Sequence, residues 1–173
     1  MEPFTPSNPR GPTESSRPHD EADAGGVPSA PVPSIDEQPY TLVIPTRWKD
    51  NDVYGHVNNV VYYSYFDTVI NTYLIGEGGL DIHEGATIGL CVESHCRYDA
   101  PLAFPEHVTA GLAVTKLGRS SVRYAVTLFD GAGALAAEGW FVHVFVDRES
   151  RRPAAVPDGI RAALERLVVG APQ

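Results

Sequence analysis

A loop from Arg47 to Asn59 places carboxylates, a histidine and amides side by side, just before a long apolar segment. The polar residues of this loop that could take part in a reaction are, in order, Asp50, Asp52, His56, Asn58 and Asn59. A carboxylate in such a loop can attack a carbonyl carbon or activate a water molecule that does so. The first N–H groups of a helix have no partner inside the helix and carry partial positive charge, so they can hold the oxygen that becomes negative. The spacing therefore predicts a site for acyl transfer, provided that a helix follows.

Each of these residues also has an ordinary structural interpretation. An Asn before a helix is most often its cap, and Asn58 or Asn59 is expected to fill that role. Asp50 is expected to pair with Arg47 or Lys49 near the surface. The histidine of the loop, taken alone, is more often a structural hydrogen-bonding group than a catalyst. The clustering of these polar residues ahead of a buried helix is what favours a function.

The segment that follows the loop is predicted to be this helix. Residues 60–75 contain neither Pro nor Gly and end just before Gly76, and their apolar residues recur at helical spacing. Tyr62, Tyr65 and Ile75 widen the apolar stripe until most of the helix is apolar, which is typical of a helix buried on nearly all sides. The β-branched and aromatic residues would also suit a strand, but the run is too long for an ordinary one.

Strands are predicted on both sides of this helix. The first covers residues 40–46, and the other four cover residues 87–98, 108–117, 122–129 and 134–146. A short amphipathic helix, residues 157–168, ends the pattern. The long and almost continuously apolar strand 134–146 indicates an interior position in the sheet. The predicted fold class is α+β, with one antiparallel sheet wrapped around one long central helix.

Composition divides the chain near residue 40. Residues 1–39 hold nine of the fifteen prolines and a single aromatic residue, Phe4, with more acids than bases. Such a segment cannot bury enough apolar surface to offset the entropy of ordering it. Residues 1–39 are therefore predicted to be a disordered tail, and residues 40–173 a single folded domain.

Charge and hydropathy exclude several classes of partner. The formal net charge is -9 and the isoelectric point about 5.0, which argues against nucleic acids and anionic membranes as partners. The sequence has no apolar run of the ~20 residues needed to span a bilayer, and no signal-like stretch near its start. A cytoplasmic location is the resulting expectation.

The two cysteines are predicted to be free thiols. Cys91 and Cys96 lie five positions apart on one predicted strand, so their side chains are expected on opposite faces of the sheet. A disulfide between them is therefore not expected, and free thiols fit a reducing compartment. Among the histidines, His83, His95 and His107 are scattered without ligand spacing, so no metal site is predicted.

The loop and the helix start together carry a resemblance to a known family. They read Arg-Trp-x-Asp-x-Asp-x-x-Gly-His-Val-Asn-Asn-x-x-Tyr over residues 47–62, which resembles the signature of the 4-hydroxybenzoyl-CoA thioesterase-like group of hotdog acyl-CoA thioesterases. Three later segments continue the resemblance, namely Arg97-Tyr98-Asp99-Ala100-Pro101-Leu102, Gly118-Arg119-Ser120-Ser121 and Ala137-Glu138-Gly139. The resemblance spans about residues 40–168 and implies a hotdog fold and hydrolysis of an acyl-CoA thioester.

The resemblance also implies roles for individual residues. By position, Asp52 matches the catalytic carboxylate, and the oxyanion donor falls at the backbone amide of Asn59 or its neighbour. His56 matches a histidine that serves catalysis in the related plant acyl-carrier-protein thioesterases. Those enzymes have an Asn where this chain has Tyr54, which favours a simpler site made of Asp52 and the helix N-terminus. No metal and no other cofactor is implied.

The family further implies a homodimer or homotetramer in which sheets join edge to edge and acyl-CoA lies across the subunit boundary. The residues expected to contact substrate are Asn58, Tyr62, Tyr63, Arg119, Ser120 and Ser121. Arg119 and Arg123, which flank the two serines, are the preferred cations for the phosphates of coenzyme A, and the tyrosines are candidates for the acyl tunnel. Two alternatives stay open at this point: an acyl-carrier-protein thioester as substrate, and an acyl-CoA-binding protein without catalysis.

Overall fold

The computed structural model describes residues 34–170. Five strands and two helices follow one another in the order β1 (Tyr40–Pro45), α1 (Asn59–Gly76), β2 (Thr87–Tyr98), β3 (His107–Leu117), β4 (Ser121–Phe129), β5 (Leu135–Asp147) and α2 (Asp158–Glu165). Short 3-10 turns cover Ile35–Glu37 and Trp48–Asp50. The predicted order of elements is confirmed, and so is the α+β hotdog fold, with an antiparallel sheet against which α1 packs.

All five strands form one antiparallel sheet in the order β1-β3-β4-β5-β2. Strand β5 therefore lies in the interior, as its continuous apolar pattern predicts, and β1 and β2 are the two edges. The side chains of Phe66, Val69 and Ile70 on α1 are fully buried against the sheet. Burial of large apolar side chains of this kind contributes roughly 1.5–3 kcal/mol each.

The close approach of α1 to the sheet depends on a glycine in β5. A Cβ atom built on Gly139 would lie 2.5 Å from Cε2 of Phe66, so a larger residue would push the helix away. This contact gives a physical reason for the small-residue step Ala137-Glu138-Gly139 that the sequence shows.

The helix is not buried on nearly all sides, and that expectation is wrong for the single chain. One side of α1 is exposed along Val60, Ser64 and Asp67, although Val60 is apolar. The reason is geometric, because one sheet covers one side of a helix and nothing else in residues 34–170 covers the other.

A β-bulge in β2 changes which of its residues share a face. The pairing with β5 shifts between Cys91 and Glu93, so Cys91 pairs with His143 and Cys96 pairs with Gly139. His143 and Gly139 are four positions apart on β5 and point to the same side, so both cysteines lie on the side that faces α1. The expectation of opposite faces is therefore wrong, while both thiols are free as predicted.

Some order extends into the segment that composition marks as a tail. The turn Ile35–Glu37 precedes β1, and the side chain of Gln38 lies over Gly111 of β3, where a Cβ atom would come within 2.5 Å of it. The remainder of the predicted tail, residues 1–33, lies outside the described residues. In the part of the chain that is described, no helix is long and apolar enough to cross a membrane.

Candidate active site

The first carboxylate of the loop, Asp50, is a buried anchor. Its side chain is only 1% exposed and accepts hydrogen bonds from the backbone N–H of Arg47 at 2.8 Å and from the guanidinium of Arg47 at 3.0 Å. The hydroxyl of Tyr65 on α1 donates a third at 2.9 Å. The expected pairing with Arg47 is present, but the carboxylate is buried and not near the surface. Asp50 thus fixes the loop against α1.

The second carboxylate, Asp52, begins a tight turn that ends at His56. The N–H of Asp52 donates to the carbonyl of His56 at 2.8 Å, and Oδ1 of Asp52 accepts from the N–H of Tyr54 at 2.8 Å. Gly55 has φ +85°, a conformation that favours glycine, and so permits the turn. Asp52 is partly buried and His56 is exposed, and the two residues face each other across the turn.

The backbone N–H groups at the start of α1 differ in their hydrogen bonding. Oδ1 of Asn58 accepts from the N–H of Val60 at 3.1 Å, which confirms the predicted cap and assigns it to Asn58. The N–H of Val61 donates to the carbonyl of Asn58 at 2.8 Å. The N–H of Asn59 has no hydrogen-bond partner among residues 34–170. It is therefore available to an outside acceptor.

An open cleft of about 330 Å³ lies at this helix start. The residues that line it are His56, Val57, Asn59, Tyr62, Tyr98, Asp99, Ala100 and Pro101. The structure therefore brings together three of the predicted site residues, namely His56, Asn59 and Tyr62. An uncovered N–H, a histidine and aromatic walls form a place where a polarised carbonyl can bind.

Tyr98 is a site residue that the sequence analysis did not single out. Its hydroxyl donates to the carbonyl of Asn59 at 3.2 Å, and its ring meets that of Tyr62 edge-on at 5.0 Å. Desolvation, with a smaller effect of Cys96, raises the pKa of Tyr98 to about 12, so its phenol stays protonated and donates. The only signal in the sequence was its place in the segment Arg97–Leu102 that resembles the family.

Six of the nine predicted residues lie outside the cleft: Asn58, which caps the helix, Asp52, Tyr63 and the three hairpin residues. Asp52 does not line the cleft of the single chain, although it is hydrogen-bonded to His56, which does. Tyr63 points to the sheet instead, and its ring lies 6.1 Å from both Phe66 and Phe141. Tyr63 therefore contributes to the aromatic core beside the cleft.

The hairpin residues Arg119, Ser120 and Ser121 lie at the opposite end of the sheet from the cleft. Ser121 pairs with Val144 on β5, whereas Tyr98 pairs with Ala137. Seven residues of strand separate these positions, or about 23 Å at the usual rise. In one chain the hairpin is therefore too far from Asn59 to complete the same site.

Apolar side chains on the surface surround the cleft and the neighbouring edge of the sheet. Val53 and Tyr54 at the tip of the loop are 94% and 84% exposed, and Val60 at the helix start is 65% exposed. Val92 on the edge strand β2 is 60% exposed. A concentration of exposed apolar side chains marks a surface that a partner or a ligand covers.

A buried histidine on β5 makes stability depend on pH. His143 is 3% exposed, and burial lowers its pKa below the usual value of 6.5, an effect that Asp67 partly opposes. At this residue the unfolded chain therefore binds a proton more readily than the folded chain does. Above pH 6.5 the folded state keeps the full contribution of this group to its stability, and it loses that contribution as the pH falls below this value. The free energy of unfolding should decline by up to about 1.4 kcal/mol per pH unit below that point. Urea unfolding between pH 5 and 8 should show this decline for the wild type and a weaker one for His143→Leu; equal slopes would contradict it.

Comparisons with known proteins agree with this fold. The thioesterase-like superfamily matches residues 46–164. The PA5185 protein of Pseudomonas aeruginosa, of known structure, is 52% identical over 82% of this chain and 100% of its own, with a TM-score of 0.78. The PA2801 protein of the same organism, a proposed thioesterase, is 32% identical over 73% of this chain and 98% of its own, with a TM-score of 0.69. A Thermus thermophilus thioesterase solved with coenzyme A and zinc is 30% identical over 75% of this chain and 95% of its own, with a TM-score of 0.62. A comparison with curated proteins finds no match.

The fold, the cleft and these comparisons define the class of the protein. The family match covers well over half of the chain, and a solved relative shares 52% of its residues. The chain belongs to the thioesterase-like superfamily, and it is a thioester hydrolase. The predicted family and class of enzyme are therefore confirmed. Among residues 34–170, no three His, Cys, Asp or Glu side chains are grouped so that they could hold a metal ion.

Proposed function

We propose that the protein hydrolyses an acyl-CoA thioester to a free acid and coenzyme A. The observation that carries this proposal is the unpartnered N–H of Asn59, which opens on a cleft lined by His56 and lies directly after the turn that contains Asp52. The Thermus thermophilus thioesterase that was solved with coenzyme A supports the choice of coenzyme A as the thiol.

In the proposed reaction, the thioester carbonyl lies in the cleft with its oxygen at the N–H of Asn59. Asp52 either attacks the carbonyl carbon or removes a proton from the water that attacks. The C–O electron pair moves onto the oxygen, where the N–H and the helix N-terminus stabilise the charge. The C–S bond then breaks, and the sulfur of coenzyme A leaves as a thiolate that takes up the proton Asp52 removed from water or, if Asp52 attacked directly, a proton from solvent. If Asp52 attacked directly, water would hydrolyse the resulting anhydride and restore the carboxylate. His56 orients the turn or the water.

A second copy of the chain would complete this site. Asp52 lies outside the cleft of its own chain, and the hairpin with Arg119 is at the far end of the sheet. If two β2 edges pair antiparallel, the far end of the partner's sheet comes next to this cleft. In the proposed dimer, the partner's Arg119, Ser120 and Ser121 contact coenzyme A, while Asn58, Tyr62 and Tyr63 line the acyl side.

The two sheet edges offer a matched test of the dimer. Val92 on β2 and Val43 on β1 are each 60% exposed, and each lies on an edge strand. Val92→Lys places a charge at the proposed interface and should convert the dimer to monomer with loss of turnover. Val43→Lys should leave both properties unchanged. Sedimentation velocity at micromolar concentration measures the oligomeric state of each variant. A wild type that sediments only as monomer would refute the shared site.

The proposed function is tested by thiol release from a panel of short, long and aromatic acyl-CoAs. Steady release by the wild type is expected for at least one acyl class. Release from an acylated carrier protein but from no acyl-CoA would identify the carrier protein as the thiol donor. Tight acyl-CoA binding without release from either kind of thioester would show a binding protein and refute catalysis.

A further inference from the structure

Polar side chains follow the exposed side of α1 and the helix-facing side of the edge strand β2, and Asp67 on the helix lies close enough to Cys91 on the strand to act on it electrostatically. The strip between these two rows of side chains is called the groove below. Its walls are Ser64, Asp67 and Asn71 on α1 and Cys91 and Ser94 on β2. Cys91 and Ser94 pair with the helix-facing residues His143 and Phe141, so they point towards α1, yet both are exposed. The helix therefore leaves this strip of the sheet uncovered. The groove begins at the cleft, where Tyr98 contacts Asn59.

The floor of the groove contains two buried polar atoms without partners. His143 lies directly beside Cys91 in the sheet, and its ring meets the ring of Tyr124 at 5.2 Å. The two side chains are 3% and 0% exposed. Nδ1 of His143 and the hydroxyl of Tyr124 have no hydrogen-bond partner among residues 34–170. Buried polar atoms are nearly always paired, so two adjacent exceptions call for a physical reason.

A glycine leaves room beside the nitrogen of this histidine. A Cβ atom on Gly89 would lie 3.4 Å from Nδ1 of His143, so the glycine keeps a space of methyl size in contact with the unpaired atom. A ligand oxygen in this space would supply the missing partner. A methyl group in the same space, as in Gly89→Ala, would cover Nδ1 of His143 without displacing the imidazole ring.

The charges around His143 and Tyr124 determine which kind of ligand oxygen can bind beside them. Burial lowers the pKa of His143 and so favours its neutral form, and the carboxylate of Asp67 on α1 acts on it electrostatically in the opposite direction. A neutral imidazole and a phenol can each donate or accept, which suits an uncharged hydroxyl or keto oxygen. A carboxylate would be repelled by Asp67 and would lose its water.

We propose that the groove binds the acyl part of the substrate, and that His143 and Tyr124 select an acyl group with a hydroxyl or keto oxygen far from the thioester. The separation follows from the helix: eight residues from Asn59 to Asp67 span about 12 Å at the rise of an α-helix. This inference rests on the proposed function and adds the substrate class. An unsubstituted chain in the same groove would leave both polar atoms unpaired, as they are in the free protein, whereas a chain with a distal oxygen would gain a buried hydrogen bond.

The test compares two substrates of equal length, decanoyl-CoA and 10-hydroxydecanoyl-CoA, with 3-hydroxydecanoyl-CoA as a control for position. The wild type should prefer the distal hydroxyl over both others by about tenfold in kcat/KM, the ratio expected for one buried hydrogen bond. Gly89→Ala and Tyr124→Phe should each bring this ratio towards one by lowering kcat/KM for 10-hydroxydecanoyl-CoA more than for the other two substrates. A wild type without the preference, or variants that lower all three rates equally, would overturn the inference.

Two further measurements test the selection of the acyl group independently of the proposed hydrolysis. If no thioester is cleaved, competition between the matching thioethers of coenzyme A reports binding directly, and the same tenfold preference is expected. Absence of that preference in binding also overturns the inference. Tyr124→Phe removes an unpaired buried oxygen, so its melting temperature should equal or exceed that of the wild type. A clear drop would show that the hydroxyl already has a partner and would remove the main support for the inference.

Discussion

Replacing Asp52 with Asn should lower kcat for thioester hydrolysis by at least several hundredfold and change KM by less than about threefold. The carboxylate supplies the negative charge that attacks the carbonyl or accepts the proton of water, and an amide can do neither. Oδ1 of an Asn can still accept the hydrogen bond from the N–H of Tyr54 that shapes the turn. The variant should therefore fold and bind as the wild type does. Thiol release and equilibrium acyl-CoA binding measure the two effects separately.

A second carboxylate, that of Asp99, provides a control for this prediction. Asp99 lines the cleft, but its carboxylate is paired with the guanidinium of Arg97 at 3.1 Å, so it is poorly suited to attack. Asp99→Asn should reduce turnover by less than about tenfold. If Asp99→Asn abolished turnover while Asp52→Asn retained it, the reactive carboxylate would be Asp99 and the proposed mechanism would be incorrect.

The different environments of the two loop aspartates show what sequence can and cannot predict. Asp50 and Asp52 stand two positions apart in the same polar loop, and local patterns treat them alike. Only Asp50 is buried, because Tyr65, fifteen residues later, turns its hydroxyl towards it. Local signals did predict the helix and a cap at Asn58 or Asn59, since both depend on neighbouring residues. The burial of Asp50 depends on a contact between distant residues.

The sheet gives a second example at a larger scale. The strands and the hairpin at Gly118–Ser121 were readable from alternation and turn residues. The bulge at Cys91 was not, because it depends on the register between β2 and β5, and it moved both cysteines to one face. The distance from Arg119 to the cleft also depends on the order of strands. For this reason the loop sequence could predict that His56 and Asn59 lie near each other at the helix start, but it could not predict how far the hairpin lies from them.

Replacing Asp50 with Ala should lower the free energy of unfolding by about 2–4 kcal/mol, a large part of the stability of an ordinary domain. The change removes the acceptor for two donors of Arg47 and for the hydroxyl of Tyr65, and the last of these stays buried and unpaired. Urea unfolding followed by circular dichroism measures the loss. Tyr65→Phe, which removes one of the three donors and leaves the carboxylate paired with Arg47, should cost only about 1 kcal/mol. Equal losses for both variants would mean that Tyr65, and not the bonds to Arg47, holds the loop in place.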